Sequence, residues 1–286
     1  MRQRPFKQID VFTDTAYLGN PLAVVLDGSD LATQEMQHFA HWTNLSETTF
    51  LLPPTPEAAA AGADYQVRIF TTAYEMPFAG HPTLGSCHAW LQAGGKPKHP
   101  EFIVQQCPVG LVRIRHIAKP IAFAAPALTR SPVTAELVTC LLAALDLRAD
   151  QLCATQHLVN GPHYVGLLLD HPDTVLTVQP KLEELHKSME QAGISGIGMA
   201  AHGEPAQFTV RFFANDLMVI EDPVTGSFNA SLAQWLIADG LAPSSYVATQ
   251  GTALGRRGQV FISSDDSGQV WVGGHSVTCI SGTVNL

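Results

Sequence analysis

The chain has no stretch approaching the eighteen or so consecutive apolar residues that a membrane-spanning helix requires. Behind Arg2, Arg4 and Lys7, the segment Met1 to Asn20 contains no apolar run of the kind found in a secretory signal. The expectation is therefore a cytoplasmic protein with no membrane partner. Its five cysteines (Cys87, Cys107, Cys140, Cys153 and Cys279) are odd in number and widely spread, with no CxxC pair, which argues against a zinc site or a disulfide framework. His38 and His41 stand three apart, but no HExxH pattern or carboxylate cluster completes a metal site, and no metal is expected. No P-loop is present, and no GxGxxG follows a strand pattern, so no nucleotide or nicotinamide cofactor is indicated. Basic clusters are also missing. With a formal net charge of −9, nucleic acid is a poor partner, because neutralising phosphates needs a basic face.

The 286 residues are enough for two domains, each burying its own core. Alternation predicts strands over Gln8 to Thr13 and Leu22 to Leu26, then a helix from Asp30 to about Asn44 with Met36, Phe39, Ala40 and Thr43 at helical spacing. The β-rich run Ser46 to Leu52 puts Glu47 at the helix–strand junction. A strand over Tyr65 to Phe70 leads to a helix from about Pro82 to Leu91, with the proline suited to the first turn. Further strands are expected over 102–104 and 111–117. The Ala/Pro-rich segment 118–132 reads as a crossover, which places the domains at 1–122 and 123–286, with the option that the last strand returns to the first domain. In the second half, helices are expected over 133–145, 182–192 and 228–239. Strands are expected over 158–159, 164–169, 208–213, 259–263, 270–273 and 276–280.

The halves repeat one another. Val67-Arg68-Ile69-Phe70, a loop, Gly80 and a helix ending near Trp90 match Val210-Arg211-Phe212-Phe213, a loop, Gly226 and a helix ending near Trp235. In each copy a strand feeds a glycine turn at a helix N-terminus, where free backbone N–H groups and the positive end of the helix dipole can hold a carboxylate or an enolate. Two such turns facing each other across a domain cleft would make a small acid-binding pocket. Either glycine taken alone is simply a helix-entry residue; the repetition favours function.

At these residues the chain resembles the PhzF-like family of phenazine-biosynthesis isomerases, whose fold is shared with diaminopimelate epimerase and proline racemase. The segments that carry the resemblance are Asp10 to Thr13, Gly19 to Pro21, Asn44 to Phe50, Arg68 to Thr71, Pro77 to Gly85, Asn160 to Pro162, Glu221 to Ser227 and Gly255-Arg256. The resemblance implies an α+β fold of two similar domains. Each would be a mixed β-sheet curled around a central helix, starting at Pro82 and at Ser227, with the active site in the cleft between the domains. It also implies a homodimer and a cofactor-independent isomerase that moves a proton between carbons of a small carboxylic acid, cyclic amino or hydroxy acids included. Glu47 would be the general acid/base, with Gly80, His81, Asp222, Gly226 and Ser227 binding substrate.

Moving a proton between carbons needs a group that is base and then acid, and a glutamate serves when burial lifts its pKa from about 4.3. On local sequence alone, Glu47 reads as a solvent-facing helix-end residue. His81, Asp222 and Ser227 each read equally as helix caps. Glu75 is a lesser candidate for the cleft. Departures from the family pattern at Thr72 and at Ala214-Asn215 bear on substrate specificity. Two other classes stay open. A two-base racemase would need thiols at the glycine turns, where Ala79 and Thr225 stand instead, with Cys87 inside the following helix. A non-catalytic small-acid-binding protein is the third reading.

Overall fold

A computed structural model describes residues 1–117, 119–204, 207–215 and 220–286. In chain order the first half comprises β1 (Gln3–Val11), β2 (Asn20–Val25), α1 (Thr33–Thr43), β3 (Thr48–Leu52), α2 (Pro56–Ala60), β4 (Tyr65–Phe70), β5 (Glu75–Met76), α3 (Gly80–Gln92), β6 (Phe102–Cys107), β7 (Gly110–Arg115) and β8 (Ala122–Ala124). The remainder comprises β9 (Thr129–Ser131), α4 (Ala135–Ala144), β10 (Leu152–Val159), β11 (His163–Leu169), α5 (Pro172–Thr177), α6 (Leu182–Ala192), β12 (Gly196–His202), β13 (Gln207–Ala214), α7 (Gly226–Ala238), β14 (Ser245–Gln250), β15 (Gly258–Ser264), β16 (Val270–Gly273) and β17 (Ser276–Asn285). Among the described residues no helix is long and apolar enough to cross a membrane.

By contact the chain forms two units, Met1–Ala124 with Trp271–Leu286, and Ala125–Val270. The contact division falls at 124/125, and residues 271–286 group with the first unit. In that unit β1 is antiparallel to β2, β2 parallel to β3, β3 antiparallel to β4, β4 parallel to β6, and β6 antiparallel to β7. The second unit repeats this order: β10 antiparallel to β11, β11 parallel to β12, β12 antiparallel to β13, β13 parallel to β14, and β14 antiparallel to β15. Each parallel pair needs a helical crossover. α1 serves β2–β3 and α3 serves β4–β6, while α5 with α6 serve β11–β12 and α7 serves β13–β14.

Helices pack on both faces of the central strands, so β2, β3, β11 and β12 are buried almost throughout, while β6, β14 and β15 alternate buried and half-buried residues. On one face of the first sheet, Val25, Phe50 and Phe70 pack against Met36 and Ala40 of α1. On the other lies α3. Gly85 of α3 sits so close to β2 that an added Cβ would come 2.5 Å from Leu22 Cδ2. In the second unit α7 takes the equivalent place, with the Phe228 ring against Gly198 of β12, where a Cβ would lie 2.0 Å from the ring. Val165, Ile197, Met199 and Phe213 face Leu141, Leu185 and Met189 on the opposite side.

The central helices begin at Gly80 and Gly226, earlier than the starts at Pro82 and Ser227 read from sequence. Pro82 is the third helical residue, where its missing N–H still leaves no intrahelical bond unmade. The segment read as a plain crossover holds β8 and β9; of the segment 118–132 assigned to it, residue 118 lies outside the described residues. Strands β12 and β14 were absent from the sequence reading, and β10 and β17 extend well beyond it.

The repeat includes an ion pair. Arg68 on β4 donates to both oxygens of Glu75, at 2.7 and 2.6 Å, and Arg211 on β13 donates to both oxygens of Glu221, at 2.9 Å each. Arg211 also donates to the carbonyls of Val175, Leu176 and Val178 at the end of α5. With the Arg211 and Glu221 side chains 5% and 10% exposed, removing one partner strands a buried charge. Arg211→Ala is expected to destabilise the protein by about 3–5 kcal/mol in urea unfolding, and Arg68→Ala, in a more exposed pair, by less.

Candidate functional site

Glu47 directly precedes β3. Helix α1 ends at Asn44, whose left-handed backbone (φ 55°, ψ 30°) turns the chain out of the helix. The Thr43 hydroxyl donates to the carbonyl of Ala40 and lies 2.8 Å from the Thr48 hydroxyl, closing the short loop on itself. Side chains alternate along a strand, so Glu47 projects to the same face as Thr49. That face meets α3, where Ser86 donates to the Thr49 hydroxyl at 2.9 Å.

The consequence is a carboxylate beside a helix N-terminus. Glu47 Oε2 lies 3.3 Å from Nδ1 of His81, with the two side chains 15% and 4% exposed. His81 is the second residue of α3 and Gly80 the first, so the pair sits where backbone N–H groups lack intrahelical partners. A chain of buried bonds steadies this turn from within: Tyr65 hydroxyl to Gln105 Oε1 at 3.0 Å, Gln105 Nε2 to the Thr83 hydroxyl at 2.9 Å, and the Thr83 hydroxyl to the Ala79 carbonyl at 2.9 Å.

In the second unit, the corresponding turn is built from Asp222, Thr225, Gly226 and Ser227. Thr225 is the N-cap residue and Gly226 the first helical residue, so Ser227 occupies the second helical position, like His81, and is not the cap. The Ser227 hydroxyl lies 2.9 Å from the Tyr164 hydroxyl, and its carbonyl accepts from Asn160 Nδ2 at 2.9 Å. Asp222 Oδ2 accepts from the Thr225 hydroxyl at 2.7 Å, which makes it a brace for the turn preceding the helix. Gln250 on β14 joins the same group: its Oε1 accepts from Thr225 N and Asn229 Nδ2, and its Nε2 donates to the Asp222 carbonyl. Sequence reasoning missed Gln105 and Gln250. Both are polar residues on the crossover strand facing the central helix, though two residues apart in ladder position, since Gln105 pairs with Tyr65 and Gln250 with Val210.

The ladders also identify the counterpart of Glu47. Phe50 lies opposite Arg68 and Met199 opposite Arg211, so Thr48 corresponds to Ile197 and Glu47 to Gly196. A Cβ at Gly196 would come 2.2 Å from the Phe212 ring. The second unit therefore has no room for an acid at that position.

Other sequence candidates have different occupations. Both oxygens of Glu75 are taken by Arg68, so it is a structural ion-pair partner. The turn after β4 is tied to α1, with Gln37 Nε2 donating to the Thr71 carbonyl and His41 Nδ1 3.0 Å from the Thr72 carbonyl. Asn215 Nδ2 donates to the Ile194 carbonyl and Oδ1 lies 3.2 Å from His186 Nδ1, so this side chain secures the start of β12. The rest of that loop, residues 216–219, lies outside the described residues. Among the described residues no group of three or more His, Cys, Asp or Glu side chains is placed to hold a metal ion. A surface pocket of about 300 Å³ in the first unit, lined in part by Asp27, Asp64 and Trp90, contains neither Glu47 nor His81. Its carboxylates are engaged by Arg2 and by the backbone N–H groups of Ser29, Lys98 and Val104.

Thiol chemistry is disfavoured at both turns. Ala79 and Thr225 are the N-cap residues of α3 and α7, the positions at which a thiol pair would have to stand. Burial pushes the Cys87 thiol up to about 12, far from a neutral-pH thiolate.

Comparison with known proteins gives one family. The model described as "phenazine biosynthesis-like protein" matches residues 9–282. The Schizosaccharomyces pombe protein "antisense-enhancing sequence 1" is 36% identical over 99% of both chains. A trans-2,3-dihydro-3-hydroxyanthranilate isomerase of Pseudomonas fluorescens is 30% identical, covering 97% of this chain and 98% of its own. In three dimensions, a Bacillus anthracis protein of the PhzF family superposes over the full length of both chains with a TM-score of 0.84 at 21% identity.

Iodoacetamide on the folded protein is expected to modify the exposed Cys140 and Cys153 and to leave Cys87 and Cys107 unmodified until denaturant is added, read by peptide mass spectrometry. Labelling of Cys87 at native-state rates would revive a thiol mechanism.

Proposed function

The chain belongs to the phenazine biosynthesis-like (PhzF) family, and from that premise we propose that it is a cofactor-independent isomerase that moves a proton between carbons of a small carboxylic acid, with Glu47 as the proton carrier. One observation carries the reading: the Glu47 carboxylate lies 3.3 Å from His81 Nδ1 in the buried first turn of α3. A carboxylate largely withdrawn from water, beside a histidine that can hold or exchange a proton with it, can take a proton from carbon and return it to another. The positive end of the α3 dipole at the same turn suits the negative charge that develops on the substrate as the C–H bond breaks.

In this reading Glu47 removes the proton and carries it. His81 holds the carboxylate in position and contacts a substrate oxygen, and the Gly80 turn stabilises the enolate. The Pseudomonas fluorescens relative supplies the substrate class to try first, a cyclic amino- and hydroxy-substituted acid. The name of the fission-yeast relative points to no small-molecule chemistry. For this chain, a formal charge of −9 without a basic cluster favours a small acid over a polyanion.

The test is exchange of substrate C–H with solvent deuterium, followed by NMR with trans-2,3-dihydro-3-hydroxyanthranilate and a panel of cyclic amino and hydroxy acids, with no cofactor added. Wild-type protein is expected to exchange at least one of them. Glu47→Gln should lose at least about 10²-fold in rate while keeping its unfolding midpoint. Wild-type-like exchange in Glu47→Gln would remove Glu47 from the mechanism. Binding without exchange across the whole panel would turn the assignment to a small-acid-binding protein.

A further inference from the structure

Two half-buried histidines meet on the sheet of the second unit, away from the helix entry. His163 Nε2 lies 2.9 Å from His157 Nδ1, and the ring centroids are 4.8 Å apart with the planes at 51°. In the β10–β11 ladder His157 stands opposite Val165 and His163 opposite Val159, so the two are diagonal neighbours on one face. Val165 shares that face. Tyr164, between them in the chain, projects to the other face, where its hydroxyl reaches Ser227.

The repeat does not require this pair. Thr48 corresponds to Ile197, and these lie opposite Ala23 and Val165, so Ala23 corresponds to Val165. Ala23 in turn lies opposite Gln8, and Val165 opposite His157. Gln8 is therefore the counterpart of His157, and Pro21, two residues before Ala23, is the counterpart of His163. The first sheet builds the same strand pair with no imidazole at either position, so the two histidines answer no need of the shared ladders.

A neutral imidazole has a proton on one nitrogen and a lone pair on the other, and the lone pair is a ligand for transition metals. Burial, with His163 beside it, pushes the His157 pKa down and holds the ring toward that neutral form. With metal–nitrogen bonds of about 2.0–2.1 Å, two nitrogens 2.9 Å apart subtend about 90° at a shared ion. That is the angle between adjacent ligands of a square-planar or tetragonal ion, narrower than the tetrahedral angle zinc takes. We infer that His157 and His163 form a two-nitrogen chelate for a divalent transition-metal ion of tetragonal preference, of the Ni2+ and Cu2+ class. Each ring gives one lone pair. The proton lying between the rings moves to the far nitrogen of its own ring, leaving His157 protonated at Nε2 and His163 at Nδ1, so two neutral rings bind the ion with no net proton release. The broad torsion at χ2 of histidine lets each ring turn its lone pair onto the ion. Among the described residues no third His, Cys, Asp or Glu joins the pair, so water fills the other positions and the ion is exchangeable. Because the pair faces away from Ser227 and the α7 entry, this ion takes no part in the proton transfer proposed for Glu47.

The experiment is calorimetric titration of Ni2+ into the untagged full chain, beside His157→Gln, His163→Gln and, as a control at an exposed histidine elsewhere, His38→Gln. Ni2+ is the probe because it leaves the exposed thiols of Cys140 and Cys153 unoxidised. The wild type and His38→Gln are expected to bind one ion more per chain than either of the other two variants; the glutamine at 157 is the residue the first unit has there. Absence of binding by the wild type overturns the inference. So does a site that persists in His157→Gln or His163→Gln, which would put the ion elsewhere. Should a variant fail to fold, NMR of the wild type decides: paramagnetic broadening by Ni2+ centred on the rings of His157 and His163 supports the chelate, and broadening centred on other residues rejects it. None of these measurements depends on the chemistry assigned to Glu47.

Discussion

A helix enclosed by a curled sheet cannot leave its first turn to water. In both α3 and α7, nine of thirteen residues are buried, and the burial begins at the first residue, Gly80 or Gly226. The N–H groups without intrahelical partners and the positive end of the dipole are then held inside the protein, where polar groups of the fold surround them. Much of the buried polar chemistry follows from this requirement. In the second unit Gln250 accepts from the N–H of the N-cap residue Thr225, and Asp222 accepts from its hydroxyl. In the first, the Gln105–Thr83–Ala79 chain braces the turn, and Glu47 brings a carboxylate to the His81 ring. A carboxylate at a helix N-terminus is stabilising by about 0.3–1 kcal/mol at exposed sites and by up to about 2 kcal/mol when partly buried. The arrangement that suits the fold also prepares a place where negative charge is welcome.

The duplication retains what holds the architecture and varies the residues at the helix entries. Both halves keep the bidentate arginine–glutamate pair, Arg68 with Glu75 and Arg211 with Glu221, and both arginines lie about 5 Å from a following phenylalanine ring. At the helix entry the halves part. His81 corresponds to Ser227, Ala79 to Thr225, and the strand position that carries Glu47 carries Gly196, hard against Phe212. The first unit keeps a carboxylate–imidazole pair, while the second keeps hydroxyls and amides that bond one another.

The strand Tyr65–Phe70 and the helix Leu182–Ala192 were legible from a single strong period, and the strand Val270–Gly273 from a short apolar run between Gly268 and Gly274. Strand β12 was not. Its sequence Gly-Ile-Gly-Met-Ala-Ala-His looks like a turn, but the small residues are there because the aromatic rings of Phe212 and Phe228 press against it. Glutamines facing a helix from inside a sheet have no local signature either. Gln105 and Gln250 acquire meaning only once β6 and β14 are laid beside β4 and β13. The Glu47–His81 contact joins residues 34 positions apart, and no periodicity reports it; the helix-entry glycines and the family resemblance pointed to it, and the strand alternation from Thr49 explains it.

A single carboxylate carries a stereochemical consequence. A two-base racemase places one group on each face of the reacting carbon, so that a proton leaves one side and another arrives on the opposite side. Here Gly196 bars an acid from the second unit's equivalent position, and neither helix entry has a thiol. One carrier that takes a proton and gives it back can reach only the face of the substrate turned toward it. In the proposed reaction, removal and return therefore occur on the same face, at two carbons close enough for one carboxylate to serve both. Inversion at a single carbon would require a second proton carrier on the far side. Under the proposed reaction one proton carrier is enough, so the repeat can differ at the two helix entries while keeping its ladders, which each sheet needs for its own pairing.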